Sequence, residues 1–318
     1  MKTIIGHIPK ESGFKAVMRK HQGWWRAFVL NEPEGAYSKE NLPVCNRINN
    51  GKENPHLKNF LSKDITKAVA LAQQKQKEAG KGIMEEDRLY NNLLSSQPLA
   101  FNFFGWFHAY PDIALGFLQT LIPDITDIDE YLFEYAPKTS TDGSAFDIGF
   151  VVRAGKQKGF VGFESKYTDK FSYKRSGAKV NYGDKSPLEE DKNYNEYYAL
   201  YKANPERFQN GYFSYVRDNS FNQLFRNELL AIQLLEKYDF VRTGLFCHHD
   251  DISATHAGRE FRRWIGNSED DFILLTYSDY IERMQKLDLN WEQRELVMML
   301  WARYCGNKLS NKIIEQLK

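Results

Sequence analysis

Two apolar stretches, FDIGFVVR at residues 146–153 and FVGFESK at residues 160–166, decide the fold of this chain. Both are rich in β-branched and aromatic side chains, which are typical of strands. The linker AGKQKG at residues 154–159 is polar and contains two glycines, as turns often do. The pattern predicts a β-hairpin in which Arg153 lies opposite Phe160.

Three charged side chains interrupt this apolar hairpin. The predicted register places Asp147 opposite Lys166. Because strand side chains alternate between faces, Glu164 and Lys166 share one face while Ser165 takes the other. Asp147 joins them as a diagonal neighbour of Glu164. Two carboxylates and an ammonium are therefore expected to converge on one small patch of the sheet.

Such a patch suits a divalent metal ion. Mg²⁺ takes oxygen ligands, commonly one or two carboxylates with waters and phosphate oxygens. Asp147 and Glu164 are therefore the predicted ligands of Mg²⁺, with Mn²⁺ as a substitute. The ion would offset their repulsion, lower the pKa of a bound water and polarise a phosphodiester. Lys166 would orient or help deprotonate that water, or stabilise charge in the transition state. The alternative is a surface hairpin that carries an ordinary Glu/Lys pair.

The arrangement resembles a known motif. Asp147 followed by Glu164-Ser165-Lys166 on the next strand is similar to the Asp…(Asp/Glu)-x-Lys signature of the PD-(D/E)XK nuclease superfamily. Phe146 stands where the superfamily name has proline. The wider resemblance is to a bacterial family of restriction-endonuclease-like nucleases and covers about residues 85–280. It includes GFVGFESKYTD at 159–169, TDGSAFD at 141–147, SSQP at 95–98 with Asn102, and NQLFRN at 222–227.

The resemblance implies a magnesium-dependent nuclease that hydrolyses DNA phosphodiester bonds, as an endonuclease with a restriction or defence role. It implies further site residues: Glu86, from the helix before the first core strand, and Gln223, a polar helix residue near the catalytic face. Arg226 would lie beside Gln223, toward the phosphate. Glu86 could instead stabilise a helix N-terminus, and Arg226 could be a surface charge. A homodimer is suggested by how often double-strand cutters pair two sites.

Composition limits the protein's class. With 318 residues, of which 42% are hydrophobic, the chain can bury a sizeable core. The net charge is only +1, so overall charge alone would not hold the protein on nucleic acid. No apolar run approaches the roughly 18 residues of a membrane span, and we expect a cytoplasmic protein without membrane contact. Its 3 cysteines fit neither a disulfide framework nor a zinc site.

A local basic stretch supplies what the net charge lacks. Residues 166–185 contain six Lys or Arg against two Asp, interleaved with aromatic side chains. Lys170, Lys174 and Arg175 are the candidates there for contacts with a nucleic-acid backbone. The alternative is a solvated loop without a partner.

Alternating strand and helix patterns predict an α/β sandwich, with a central mixed sheet of four to five strands flanked by helices. Residues 1–80 are predicted to be an N-terminal accessory region, and residues 81–318 a nuclease-like domain with C-terminal helices. The aromatic stretch 98–110 is predicted to be buried packing. Glu134, on the strand predicted at 131–135, could point into the site or face solvent. The other strands are predicted at 24–30, 146–153, 160–166, 240–247 and 272–277, and helices at 57–79, 85–94, 114–122, 194–202, 221–237 and 291–304.

Other readings stay open. A nuclease fold can serve as a non-catalytic module that binds nucleic acid or another partner, although all three core residues are present. Asp147 and Glu164 could also form a metal-free acid/base pair that acts on another substrate, such as a glycoside. The cluster at residues 248–251, with His256, is predicted to be a loop at a strand end. Adjacent histidines on an extended chain point in opposite directions, which disfavours a shared metal.

Overall fold

One five-stranded sheet organises the fold of the computed structural model, which describes residues 5–37, 42–79, 84–137, 144–169, 171, 192–217, 219–265 and 271–316. The strands lie side by side in chain order, the first three antiparallel and the last two parallel to their neighbours. They are β1 (Asp127–Tyr135), β2 (Phe146–Ala154), β3 (Gln157–Lys166), β4 (Phe240–Cys247) and β5 (Phe272–Thr276). The predicted α/β sandwich with a mixed sheet is confirmed.

Helices cover both faces of this sheet. A small ribbon, Gly35–Ala36 with Pro43–Val44, lies outside it. No helix in the described part of the chain is long and apolar enough to cross a membrane. The α-helices are α1 (Gly13–Trp24), α2 (Lys63–Ala79), α3 (Ser96–Phe104), α4 (Pro111–Gln119), α5 (Lys192–Ala203), α6 (Tyr212–Arg217), α7 (Asn219–Gln233), α8 (Ile252–Trp264), α9 (Tyr277–Gln285), α10 (Trp291–Tyr304) and α11 (Asn307–Gln316).

The hairpin turn is tighter than the sequence suggested. Ala154 pairs with Gln157, so that Gly155 and Lys156 alone make the turn and Arg153 lies opposite Lys158. Gly155 has φ +61°, the left-handed value that a two-residue type II′ turn needs at its first central position. The predicted register was therefore wrong by two residues. An even shift keeps every side chain on its predicted face.

Each face of the sheet has its own apolar cluster. Phe103 and Phe104 of α3 pack with Phe163 of β3 and Tyr280 of α9 on one side. Phe225 and Leu229 of α7 belong to the cluster on the other side, called here the α7 face. Five aromatic side chains of stretch 98–110 are at most 1% exposed, which confirms their predicted role as packing: Phe101, Phe103, Phe104, Trp106 and Phe107.

Residues 24–30 correct a predicted strand. They continue α1 as a π-helical turn, Trp25–Val29. Trp25 is buried, and the Arg26 guanidinium donates to the Cys45 and Ile5 carbonyls. This tertiary packing outweighs the β propensity of the aromatic and branched side chains in WWRAFVL. The helix predicted at 85–94 is also shortened, to a π-helical turn at Asp87–Asn91.

The N-terminal region packs into the rest of the protein. Met18 of α1 and Ile65 of α2 belong to the same apolar cluster as α3 and the sheet. Gln22 donates to the hydroxyl of Tyr167, just after β3, at 2.6 Å. The division at residue 80 remains a sequence prediction, while in the structure the two parts share one core.

Candidate active site

The register of the hairpin sets the position of the two predicted metal ligands. The ladder between β2 and β3 ends with Ile148 opposite Phe163. Asp147 and Glu164 are the next residues on the two strands, and the Asp147 side chain accepts a hydrogen bond from the backbone N–H of Ser165. Asp147 therefore lies beside residues 164–165, nearer the turn than Lys166, the partner predicted from the sequence.

Glu164 and Lys166 form a buried ion pair on the α7 face. Lys166 Nζ lies 2.7 Å from Glu164 Oε1 and also donates to Gln223 Oε1 at 2.8 Å. Glu164 is only 3% exposed and Lys166 only 5%. Buried charges of this kind persist only when paired and hydrogen-bonded. The predicted convergence of Glu164 and Lys166 is thus present in the structure.

Helix α7 supplies amide groups that hold Glu164. Gln223 Nε2 donates to Glu164 Oε1 at 2.5 Å, and Asn227 Nδ2 donates to Glu164 Oε2 at 2.9 Å. Residues four apart lie on the same side of a helix, so one face of α7 contacts both carboxylate oxygens. Sequence reasoning identified Gln223 but missed Asn227. Asn227 lies four residues after Gln223, and this spacing could have identified it from the sequence as a residue on the same side of the helix.

Asp147 occupies a crowded, electronegative position. Its Oδ2 accepts the backbone N–H of Ser165 at 2.6 Å. Burial, together with the charges of Glu164 and Glu134, raises the pKa of Asp147 well above its usual value. Without a cation the chain therefore holds this carboxyl at an electrostatic cost.

Glu134 is a third acidic member of the cluster. It lies between Leu132 and Tyr135, which both pack on the α7 face. Burial and the charge of Glu164 raise the pKa of Glu134 to about 7, against the opposing effect of a hydrogen bond with Gln97. Its φ of +48° is left-handed, which is unusual for a non-glycine residue and typical of functional sites. Of the two orientations that the sequence left open, the structure adopts the inward one.

The structure places other predicted site residues elsewhere. Glu86 forms an exposed ion pair with Lys52, 2.7 Å from Nζ to Oε1, rather than a bond with the cluster. Arg226 is only 3% exposed, and its guanidinium donates to Asn222 at 3.0 Å and to Ser144 at 2.5 Å. This interior position rules out the alternative of a surface charge at 226, while a contact of Arg226 with phosphate stays a prediction. The interior position arises because α7 turns that side of the helix toward the start of β2.

The predicted basic stretch lies mostly outside the described residues. Lys170, Lys174 and Arg175 all fall there. Phe171 is described, and the Lys166 ammonium lies 5.2 Å from the centre of its ring. This aromatic contact adds a favourable cation–π interaction to the environment of Lys166.

The cluster has the donor chemistry of a hard-cation site. The charge of Glu164 acts on both Asp147 and Glu134, and Lys166 is the ammonium that contacts Glu164. Burial first, and then the neighbouring carboxylates, raises the pKa values of Asp147 and Glu134, and a divalent cation would offset this cost. Oxygen-only ligands suit Mg²⁺ or Mn²⁺ rather than a thiophilic metal. The residues therefore fit the metal that the sequence predicted.

A second group of ligand-type side chains lies at the end of β4. One ligand atom from each of His248, His249 and Asp250 lies within 4.8 Å of the others. His248 Nδ1, however, accepts the backbone N–H of Asp250 at 2.9 Å. That bond occupies the lone pair of this ring nitrogen. The segment forms a turn after the strand, as predicted. The expectation that the two histidines point in opposite directions is wrong, because the turn stacks the rings of His248 and His249 with centroids 4.2 Å apart.

Comparison with known proteins completes the assignment. No match was found among curated proteins, and none among solved structures. A protein-family model described as the PD-(D/E)XK nuclease superfamily matches residues 9–306. The match spans nearly the whole chain and includes the acidic hairpin, α7 and the N-terminal helices. This chain therefore belongs to the PD-(D/E)XK nuclease superfamily.

Proposed function

We propose that the protein is a Mg²⁺-dependent endonuclease that hydrolyses DNA phosphodiester bonds, with Mn²⁺ able to replace Mg²⁺. The observation that carries this proposal is the convergence of Asp147, Glu164 and Lys166 on the α7 face of the hairpin. Membership of a nuclease superfamily supports the reaction class. The choice of DNA, of endonucleolytic cleavage and of a restriction or defence role follows from the same resemblance.

Asp147 and Glu164 are the proposed metal ligands, with Glu134 as a further acidic group. When bound, the metal supplies Lewis acidity for the phosphodiester and a more acidic water. The chain's own contribution is to hold the carboxylates in position before substrate arrives. Gln223 and Asn227 fix Glu164, and the Ser165 N–H fixes Asp147.

Lys166 is the proposed residue that acts on the attacking water or on charge that develops at the phosphate. Its ammonium lies next to Glu164 and is oriented by the Gln223 carbonyl. It is therefore held beside the proposed ligands, in a buried setting where its interactions are stronger than in water. The same contacts make Gln223 a positioning residue for both Glu164 and Lys166.

The proposal extends to the protein's assembly and location. A homodimer would bring two sites to one DNA molecule, as double-strand cutters often do. We also propose that the protein acts in the cytoplasm. Both points go beyond family membership and are tested by sizing the protein alone and with DNA, and by locating it in cells.

The deciding experiment offers supercoiled plasmid and linear DNA to the protein with Mg²⁺ or Mn²⁺. Nicking of the closed circle indicates endonuclease action, whereas shortening of linear DNA alone indicates an exonuclease. Lys166→Ala should abolish cleavage. Lys158→Ala is the matched control, because Lys158 lies on the same strand in an exposed ion pair with Asp129. Retention of DNA without cleavage by the wild type would instead favour a non-catalytic binding module.

A further inference from the structure

A cleft of about 710 Å³ runs along β1, the outer strand of the sheet. One wall is formed by α2, through Leu71, Ala72, Lys75 and Gln76, and the other by residues 130–136 of β1. Its volume falls within the roughly 300–1,000 Å³ typical of small-molecule sites. The cleft, called here the β1 cleft, is thus large enough for one nucleotide.

The β1 cleft adjoins the acidic cluster. Glu134 lines the cleft, and its chain neighbours Phe133 and Tyr135 pair with Ile148 and Phe146, the residues on either side of Asp147. A group seated in the cleft would therefore be a direct neighbour of the proposed scissile phosphate. This continuity distinguishes the cleft from a surface depression unconnected with the site.

The walls combine aromatic surface with polar atoms that lack a protein partner. Tyr131 and His108 lie with ring centroids 4.6 Å apart at the cleft wall. The Tyr131 hydroxyl and Gln76 Nε2 are both buried without a hydrogen-bond partner among the described residues. Such atoms are uncommon in native proteins, and a ligand in the cleft would pair them once their side chains turn toward it. The edge of a nucleobase offers matching donors and acceptors, and its ring offers a stacking surface.

The cleft lining carries two cations and two carboxylates. Lys75 on the α2 wall and Lys237 at the other side can face phosphates that flank a seated base, whereas Glu130 and Glu134 line the β1 wall. A peptide added to the edge of the sheet fits less well. The bulge between Ile128 and Glu130 and the left-handed Glu134 interrupt the row of backbone groups that strand addition needs.

We infer that the β1 cleft binds an unstacked nucleobase next to the scissile phosphate, so that the preferred substrate is DNA unpaired at the cleavage position. The inference rests on the proposed nuclease function for the identity of the neighbouring site. Binding of the base is nevertheless separable from cleavage, because the cleft residues on α2 lie apart from Asp147, Glu164 and Lys166.

The test measures binding in EDTA, where no cleavage occurs. A single-stranded oligodeoxynucleotide that carries 2-aminopurine is compared with its duplex by fluorescence. We expect the single strand to bind at least about tenfold more tightly, the effect of one stacked base. Gln76→Leu should weaken single-strand binding by about the same factor. The matched control is Gln74→Leu, because Gln74 lies on the same helix but bonds to Glu78 outside the cleft.

Two further measurements test whether the base binds in the β1 cleft. Leu71→Trp, which adds bulk to the cleft from a position 47% exposed, should weaken single-strand binding without lowering the melting temperature. A photoreactive 5-iodouracil oligonucleotide should crosslink to a residue that lines the β1 cleft, within 71–76, at His108 or within 130–136, as shown by mass spectrometry. A crosslink elsewhere, or equal affinity of Gln76→Leu and Gln74→Leu, overturns the inference.

The outcomes separate the two proposals. Metal-dependent plasmid cleavage with no role for Gln76 would leave the nuclease standing and remove the base site. Single-strand binding that needs Gln76, without metal-dependent cleavage, would support the base site and remove the nuclease proposal.

Discussion

Asn227 Nδ2 donates to Glu164 Oε2 at 2.9 Å, while Gln223 Nε2 donates to the other oxygen of the same carboxylate. A single helix face therefore orients a buried carboxylate from both sides. Supporting bonds of this kind typically change metal affinity or activity by about 10–100-fold when removed. This relationship gives α7 a direct part in the site.

Replacement of Asn227 tests whether α7 orients the Glu164 carboxylate. Asn227→Leu should raise the metal concentration needed for half-maximal cleavage by about 10–100-fold, because Glu164 loses one orienting bond. Titration of cleavage with Mg²⁺ measures the change, and a urea melt in EDTA reports stability separately. An unchanged metal requirement would contradict a positioning role for Asn227.

Metal binding should also be visible without substrate. Mg²⁺ or Mn²⁺ binds the folded site and so should raise the melting temperature of the wild type in a concentration-dependent way. In Asp147→Asn this response should be lost. The variant should be at least as stable as wild type in EDTA, because burial and neighbouring carboxylates disfavour the charged form of Asp147. An equal metal response in both proteins would exclude Asp147 as a ligand.

The pKa of Glu134 predicts a pH effect on stability in EDTA. Burial raises this pKa to about 7 from an ordinary value of 4.5. The folded protein therefore binds the proton more tightly than the unfolded chain, and stability falls as pH rises from about 4.5 through 7. Glu134→Gln removes this penalty, so its stability relative to wild type should increase over that window and level off above it. Urea unfolding at several pH values measures the difference, and a constant offset would refute the assignment.

The buried His21 predicts a change of stability with pH that is opposite in sign to the change caused by Glu134. Burial lowers its pKa to about 4 from 6.5, and its Nε2 donates to the Ala302 carbonyl at 3.0 Å. The unfolded chain takes up this proton first, so the neutral histidine stabilises the fold above pH 6.5 and loses that contribution as pH falls toward 4. Within this window wild type should lose up to about 1.4 kcal/mol per pH unit relative to His21→Gln. Curves of stability against pH that run parallel for the two proteins would contradict the lowered pKa of His21.

Local pattern explains what could be predicted correctly. Strands β2, β3 and β4 and helix α10 were located because period-2 and period-3.6 apolar repeats are properties of short segments. Alternation of faces along FVGFESK was enough to place Glu164 and Lys166 on one side. The error of two residues in register did not disturb this prediction, since alternate residues share a face.

The sequence by itself thus determined the acidic hairpin, the shared face of Glu164 and Lys166, and the superfamily resemblance, because each depends on neighbouring residues. Tertiary structure alone decided that Asp147 lies beside Glu164 and Ser165, that Glu134 points inward, and that Asn227 bonds to Glu164. It also turned residues 25–29 into a π-helical turn and buried Arg226. These features depend on a turn at Gly155, a left-handed residue in β1 and the docking angle of α7, which are set by packing between segments distant in sequence.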